Sequence, residues 1–424
     1  MSASRVVSHP SAASVERQRR RARAQSHMEH GLLVVVTLGL VAFGLVMVYS
    51  ASSARAVAAS GDPAYYLKRQ GLYALAGLLL FHVLARVDYR SLKRAAGPLL
   101  GGSLFLLVAV LAIADPVNGA KRWLSVGPVT FQPSELVKIA LAVWVAAYLA
   151  RVPAPGSIRE LARPLGLVVG AVVLLLLAEP DLGTAIAILI LVGAMLVVSG
   201  TPLRVLAAIA GGTVVLVLMV SWIEPYRRAR LLTFQNPWDD SQGAGFQTVQ
   251  SLIALGSGGL FGVGLGESVQ KVYYLPEAST DMIFAIVGEE LGLIGALAVI
   301  LAYAVFGYAG FQIALRCRDP FGKRLAAGLT ALVCGQAAVN LGAVMGLAPL
   351  TGIPLPFVSY GGTSLVVGLA SVGILLNIAM SDGAQQRATV PDRGRGDGGT
   401  RPARPRSRRG AQGTRRRREL RRLA

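Results

Sequence analysis

At 424 residues, 54% hydrophobic and 15% charged, with a mean hydropathy of +0.56, the chain is too apolar for a soluble globular protein. These figures exclude counting domains by length and predict an all-α polytopic membrane protein. The net charge of +20 invites a nucleic-acid reading, but most of the excess sits in two tails: six Arg against two Glu in residues 1–30, and fourteen Arg against four acidic residues in 381–424. Both tails are poor in large apolar residues, which predicts disorder. Basic flanks of this kind predict cytoplasmic placement against anionic lipid, with no nucleic acid as partner.

Between the tails, residues 31–380 read as one membrane domain. The first apolar run, Gly31 to Ser50, follows an Arg-rich leader, and its length favours an uncleaved span over a signal peptide. Further runs at about 71–85, 97–114, 136–149, 164–178, 184–199, 205–222, 282–308, 325–347 and 364–380 bring the expected total to ten transmembrane helices. With the N-terminus inside, the basic loops holding Arg86, Arg90, Lys93 and Arg94, then Arg151, Arg159 and Arg163, then Arg204, then Arg316, Arg318, Lys323 and Arg324 all fall on the cytoplasmic side. The C-terminal tail joins them.

The outer connections differ in kind. One carries Asn118-Gly119-Ala120-Lys121-Arg122-Trp123-Leu124, another is the turn Glu179-Pro180-Asp181-Leu182-Gly183-Thr184. The longest, residues 223–280 between helices 7 and 8, holds Pro225-Tyr226-Arg227-Arg228-Ala229-Arg230 and a glycine-rich run from Gly256 to Gly266. A loop of that length among short connections points to function. The glycine run lacks the Lys-Ser/Thr of a phosphate-binding loop, so close backbone packing is its expected use. The last outer segment, 348–363, is apolar yet full of Pro and Gly, and such backbone is tolerated at membrane depth only when buried in protein or lining a cavity. It predicts a re-entrant lining.

The long loop ends in Tyr273-Tyr274-Leu275-Pro276-Glu277-Ala278-Ser279-Thr280-Asp281, running into an apolar helix that carries Glu289 and Glu290. Ser279 or Thr280 is expected to cap that helix and Asp281 to fall in its first turn, where the dipole favours a carboxylate. Acids carried into a bilayer span are functional candidates. Lys121, Arg122 and Trp123, with Glu135 and Lys138 at i,i+3 on the fourth span, are candidates for recognising a phosphate, although snorkelling and a satisfied helical ion pair account for the same residues. Neither Cys317 with Cys334 nor the four histidines make a disulfide framework or a protein-built zinc site.

Taken together, Asn118 to Leu124, Gln132-Pro133-Ser134-Glu135, Glu179 to Thr184, Leu275-Pro276-Glu277-Ala278 with Thr280-Asp281, Gly288-Glu289-Glu290-Leu291-Gly292 and Ser359-Tyr360-Gly361-Gly362 resemble the SEDS (shape, elongation, division and sporulation) family in order and spacing across about residues 31–380. The Leu-Pro-Glu-Ala ahead of Thr-Asp looks like its division branch. The resemblance implies a ten-span peptidoglycan glycosyltransferase in the bacterial cytoplasmic membrane, with both termini cytoplasmic and a place at the division septum. It would polymerise lipid II at the outer face by an inverting transfer that releases undecaprenyl pyrophosphate. It also implies Asp281 as the catalytic base, with Lys121, Arg122, Trp123, Glu135, Lys138, Glu277, Ser359 and Tyr360 toward substrate and Glu179, Asp181, Glu289 and Glu290 ordering the cavity. A divalent cation, Mg or Mn, is expected to bridge phosphate oxygens, with no organic cofactor. Expected partners are lipid II and the nascent glycan, a class B penicillin-binding transpeptidase and other division proteins. Members commonly carry His before Thr-Asp; here it is Ser279, which cannot shuttle a proton near neutral pH. A lipid II flippase and a non-catalytic division scaffold are the rival readings.

Overall fold

The computed structural model describes residues 12–116, 120–126, 129–223, 225–272 and 274–388. Asn118 and Gly119 of the Lys-Arg-Trp motif, Tyr273, and the tail residues 1–11 and 389–424 lie outside that set. Met1–Ala384 form one compact unit that holds the bundle, and Gln385–Ala424 a second, described only over 385–388.

Helices α1 (Ala12–Ser60), α2 (Tyr65–Arg86) and α3 (Arg90–Ile113) are followed by a short antiparallel hairpin, β1 (Leu124–Val126) with β2 (Val129–Phe131). Helix α4 (Pro133–Leu149) follows, then the short α5 (Ile158–Leu161) leading through a wide turn into α6 (Leu167–Ala178), α7 (Leu182–Ser199) and α8 (Leu203–Ile223). The long connection then folds into α9 (Pro225–Thr233), a 3₁₀ turn at Pro237–Asp240 and α10 (Phe246–Ser257), before α11 (Ile283–Arg316), α12 (Pro320–Val344) and α13 (Gly362–Ala388). Each expected span thus has its helix. Eight of them, among the described residues, are long and apolar enough to cross a membrane; α2 and α4 are not among the eight. Lys68 and Arg69 enter α2, and α4 is 17 residues long with buried Glu135 and Lys138. Helix also extends beyond the expected limits, back to Ala12 and on to Ala388, into stretches whose composition alone predicts disorder.

The core lies where α11 packs on α1 and α12, and α12 on α7 and α4. Helix α12 is buried nearly all round, whereas α8 exposes Val214, Val215, Leu218, Met219 and Trp222. All-round apolarity with one-sided burial suits a peripheral helix in lipid.

The middle of α11 explains the glycine-rich run. Gly292 takes φ +65° and breaks the helix, freeing backbone groups that hydrocarbon could not satisfy. The glycine segment satisfies them: Val263 and Gly264 donate N–H bonds to the Glu289 and Glu290 carbonyls at 2.9 and 3.1 Å, and Leu293 donates to the Gly259 carbonyl at 2.9 Å. A Cβ on Gly262, itself at φ +82°, would collide with the Glu290 carbonyl. Only glycine permits that approach.

The acids at the break bind the same loop. Glu289 accepts from the Ser268 hydroxyl and, at 3.1 Å, from the Val269 N–H; Glu290 pairs with Lys271 at 2.7 Å and accepts from Ser50 of α1 at 2.7 Å. The Lys271 and Glu290 side chains are 6% and 0% exposed. Both acids therefore pin residues 258–272 to α11 and α1, upstream of Asp281.

Candidate functional site

Asp281 does not sit in the first turn of a helix. Helix α11 begins at Ile283, its cap residue Met282 offers no side-chain bond, and residues 274–282 form successive turns. Ser279 and Thr280 lie ahead of the cap position, which Met282 takes. The Ser279 carbonyl accepts from Tyr360 N–H at 2.8 Å, the Thr280 carbonyl from the Ser359 hydroxyl at 2.6 Å, and the Asp281 carbonyl from Asn340 Nδ2 at 2.7 Å. Thr280 turns its own hydroxyl back to the Glu277 carboxylate at 2.8 Å. Three consecutive carbonyls are thus held by the expected re-entrant segment and by α12.

Ser359 and Tyr360 therefore scaffold the backbone of Asp281. Ser359 also accepts from Leu355 N–H at 2.8 Å, its carbonyl accepts from Gln70 of α2 at 3.0 Å, and the Tyr360 ring meets Tyr66 edge-on at 5.1 Å. Asn340 Nδ2 donates a second bond, 2.7 Å, to the Ile353 carbonyl, so one buried amide ties α12 to both sides of the site. Gly352, at φ +73°, passes so near that a Cβ there would stand 3.4 Å from Asp281 Oδ2.

A small pocket opens beside Asp281, lined among others by Arg230 of α9, Gln247 of α10, Asn340, Thr351 and Gly352. It holds room for about one water molecule. Arg230 donates to Gln247 at 3.2 Å. Burial, aided by the negative charge of Glu277, pushes the Asp281 carboxyl up to about 7 against the pull of Arg230 and Arg122. Such a group is poised to gain and lose a proton near neutral pH. Arg230, Gln247 and Asn340 were not singled out by sequence reasoning. The available signal was the cluster Arg227, Arg228 and Arg230 in the long outer connection.

A second cluster adjoins the first, since the start of α7 packs at Gly183 against Thr351 and Ile353, on either side of Gly352. Asp181 caps α7 by accepting from Thr184 N–H at 3.1 Å and also accepts from Ser134 of α4 at 3.2 Å. Arg122 braces the same turn, donating from Nε to the Glu179 carbonyl at 2.9 Å and from Nη2 to the Pro180 carbonyl. Glu179 is fully buried and neither carboxyl oxygen has a partner among the described residues. Burial and the neighbouring Asp181 charge push it up to about 8 despite the attraction of Arg122.

Lys138 is placed differently from a phosphate ligand. It is 1% exposed and pairs with Glu135 at 2.7 Å, so its charge is spent inside the bundle. Lys121 reaches the Leu111 carbonyl of α3 at 3.4 Å; Trp123 is half-buried beside the hairpin, and Glu277 is exposed. Among the described residues no three His, Cys, Asp or Glu side chains come together as metal ligands. The described residues form no all-protein cage for Mg or Mn.

The profile of the cell cycle proteins FtsW, RodA and SpoVE matches residues 30–383. The chain belongs to this family. It is 42% identical over 353 residues to the "Probable peptidoglycan glycosyltransferase FtsW" of Geobacter sulfurreducens, spanning 82% of this chain and 94% of that protein. It is 41% identical over 356 residues to the stage V sporulation protein E of Bacillus subtilis, spanning 82% and 96%. Among solved structures, a chain of a peptidoglycan synthase complex studied for its coordination of polymerisation and crosslinking aligns with a TM-score of 0.69 and 34% identity, covering 82% of this chain and 97% of that one. The rod shape determining protein RodA of Thermus thermophilus aligns with a TM-score of 0.61 and 30% identity, covering 82% and 96%. Family membership and the apolar helices make the chain a multi-pass membrane protein.

Proposed function

We propose that this chain is a peptidoglycan glycosyltransferase that polymerises lipid II at the outer face of the bacterial cytoplasmic membrane during division, with Asp281 as its general base. The activity is the one named for its relatives. The observation that carries the residue assignment is the carboxyl of Asp281, on a backbone fixed through three consecutive carbonyls, in a pocket with Arg230 and raised to about 7.

In the reaction the 4-hydroxyl of one lipid-linked disaccharide attacks the anomeric carbon of another. The new glycosidic C–O bond forms as the bond to pyrophosphate breaks, and undecaprenyl pyrophosphate leaves with the electron pair, inverting the centre. Asp281 takes the hydroxyl proton, a role worth ~10²–10⁴-fold. Arg230, Arg122 and Lys121 supply the positive charge that the departing pyrophosphate needs; Lys138, buried and paired with Glu135 of the same helix, is left out of that role. Ser279 is not required to move a proton, because Asp281 is itself poised near neutrality. The pocket admits only about a water molecule, so a sugar enters when the 223–280 connection parts from the 348–361 segment.

The distribution of basic residues supports both termini in the cytoplasm, and membership of a cell cycle protein family supports action at the division septum. A class B penicillin-binding transpeptidase is the partner this reading calls for, since glycan without crosslinks builds no wall.

The test is polymerisation of fluorescent lipid II by purified protein with its cognate transpeptidase, comparing wild type with Asp281→Ala of verified fold. Glycan chains with wild type and a loss of at least about 100-fold in the variant are expected. Equal activity would remove Asp281 from the chemistry. An inactive wild type would return the flippase and scaffold readings.

A further inference from the structure

At the end of the bundle remote from Ser134 and Asp181, the first turns of α3 face the last turns of α4 across a cavity of about 330 Å³. Its lining includes Lys93, Arg94 and Arg151, and no carboxylate. Among the described residues none of these three cations makes a hydrogen bond or ion pair. One wall is an aromatic platform, Trp144 and Tyr148 of α4, stacked at 5.6 Å with planes 6° apart. The fold leaves both rings only half-buried, while every other residue from Pro133 to Leu149 except Leu136 is buried. Pro98 of α3 lies across from them.

We propose that this groove binds the headgroup of an anionic phospholipid. Three unpartnered cations over a space of this size match a phosphodiester with a further negative or hydroxylated group, and basic pockets between membrane helices suit such headgroups. The surroundings select a lipid over a free anion. Further along α3, Phe105 and Val108 are 71% and 52% exposed, beginning roughly 18 Å from Lys93 along the axis. An acyl chain leaving the groove therefore meets apolar surface, with the aromatic pair at the level where headgroup gives way to hydrocarbon. The site is separate from Asp281 by the length of α4, so the proposal stands apart from the polymerase reading.

The structure supplies its own reporter in Trp144. Full-length protein is placed in phosphatidylcholine vesicles containing, at equal mole fraction, either phosphatidylglycerol or phosphatidylcholine brominated on the acyl chain near the glycerol. The share of quenching due to Trp144 is read as the difference from Trp144→Phe. Brominated phosphatidylglycerol is expected to quench Trp144 several-fold more strongly than brominated phosphatidylcholine. The excess should vanish in Lys93→Gln/Arg94→Gln/Arg151→Gln. It should also vanish in Gly97→Phe, which fills the groove and leaves its charges untouched, since Gly97 faces open space. Equal quenching by the two lipids, or an excess that survives in either variant, overturns the proposal. Displacement of the excess by millimolar inorganic phosphate would assign the site to a soluble anion and overturn it as well.

Discussion

Asp281 owes its chemistry to two opposing influences that single substitutions can separate. Burial and Glu277 raise its pKa to about 7, while Arg230 and Arg122 lower it. As a base it must be ionised, so polymerisation should rise with pH by about tenfold per unit below 7 and level off above it. Removing an opposing cation leaves the carboxyl still more basic: Arg230→Ala should move this limb to higher pH, and Glu277→Gln should move it to lower pH. Rate-against-pH profiles of the three proteins check both shifts, and an unmoved limb would mean that another group titrates. Gly352→Ala should cost activity at every pH, because φ +73° is strained for alanine and the new Cβ crowds Oδ2.

Glu179 makes a separate prediction, about stability. Its folded-state pKa of about 8 lies above the ordinary 4.5, so the folded protein binds that proton more tightly than the unfolded chain. The stabilisation is fully present below about 4.5 and is lost as pH rises through 8. Glu179→Gln keeps a neutral side chain at every pH. Its melting temperature should exceed that of wild type at pH 9, on the order of a few degrees, and differ little at pH 5. A wild-type protein whose melting temperature is flat across that range would refute the assignment.

Among the elements, α11 with its glycine partner loop is where stability and site geometry meet. The helix break at Gly292 is tolerable only because residues 259–264 pair with its freed backbone, and the loop is then fastened by Ser268, Lys271 and Ser50 to Glu289 and Glu290. Truncating one member of a buried pair strands the other charge, at about 3–5 kcal/mol. Glu290→Gln and Lys271→Met should each destabilise the solubilised protein by that order, and the double substitution by less than their sum, as a double-mutant cycle of denaturation would record. Additive effects would mean that the pair does not interact as the geometry requires.

For the whole molecule, the orientation inferred from basic loops and the placement of the site can be tested together. Asp239, beyond α8, and Arg159, in the short α5 that follows α4, are both exposed. In intact cells a membrane-impermeant maleimide should label Asp239→Cys and spare Arg159→Cys in a background lacking Cys317 and Cys334; the reverse pattern would invert the topology. The rival scaffold reading makes its own demand at this scale, that the Arg-rich tail and not Asp281 be indispensable. Removal of residues 389–424 should leave polymerisation in vitro within about twofold, because the profile of the family ends at residue 383.

What the amino-acid sequence determined by itself was local or additive. Runs of apolar residues marked where a helix lies for each expected span, because the cost of burying backbone polar groups leaves a lipid-embedded chain few choices, and the basic loops alternate along the sequence because each charge acts on its own segment. Asp281 and the segment 348–363 stand out for the same reason: a carboxylate just ahead of an apolar helix, and Pro and Gly in an apolar stretch, are anomalies visible in one dimension. The tertiary structure decided everything that depends on partners distant in the chain. Lys138 reads equally as a phosphate ligand or as half of a helical ion pair with Glu135, and the helices that close over both decide for the pair. Ser359 and Tyr360 read as substrate contacts, and only their bonds to Thr280 and Ser279 show that they also frame the site. Arg230 is visible only as one of a basic cluster, and Asn340 carries no local signal at all. They reach Asp281 from α9 and α12 because the folding of the 223–280 connection and the packing of α12 bring them there, and a pairing across so many residues is encoded in the sum of the packing, not in any stretch of it.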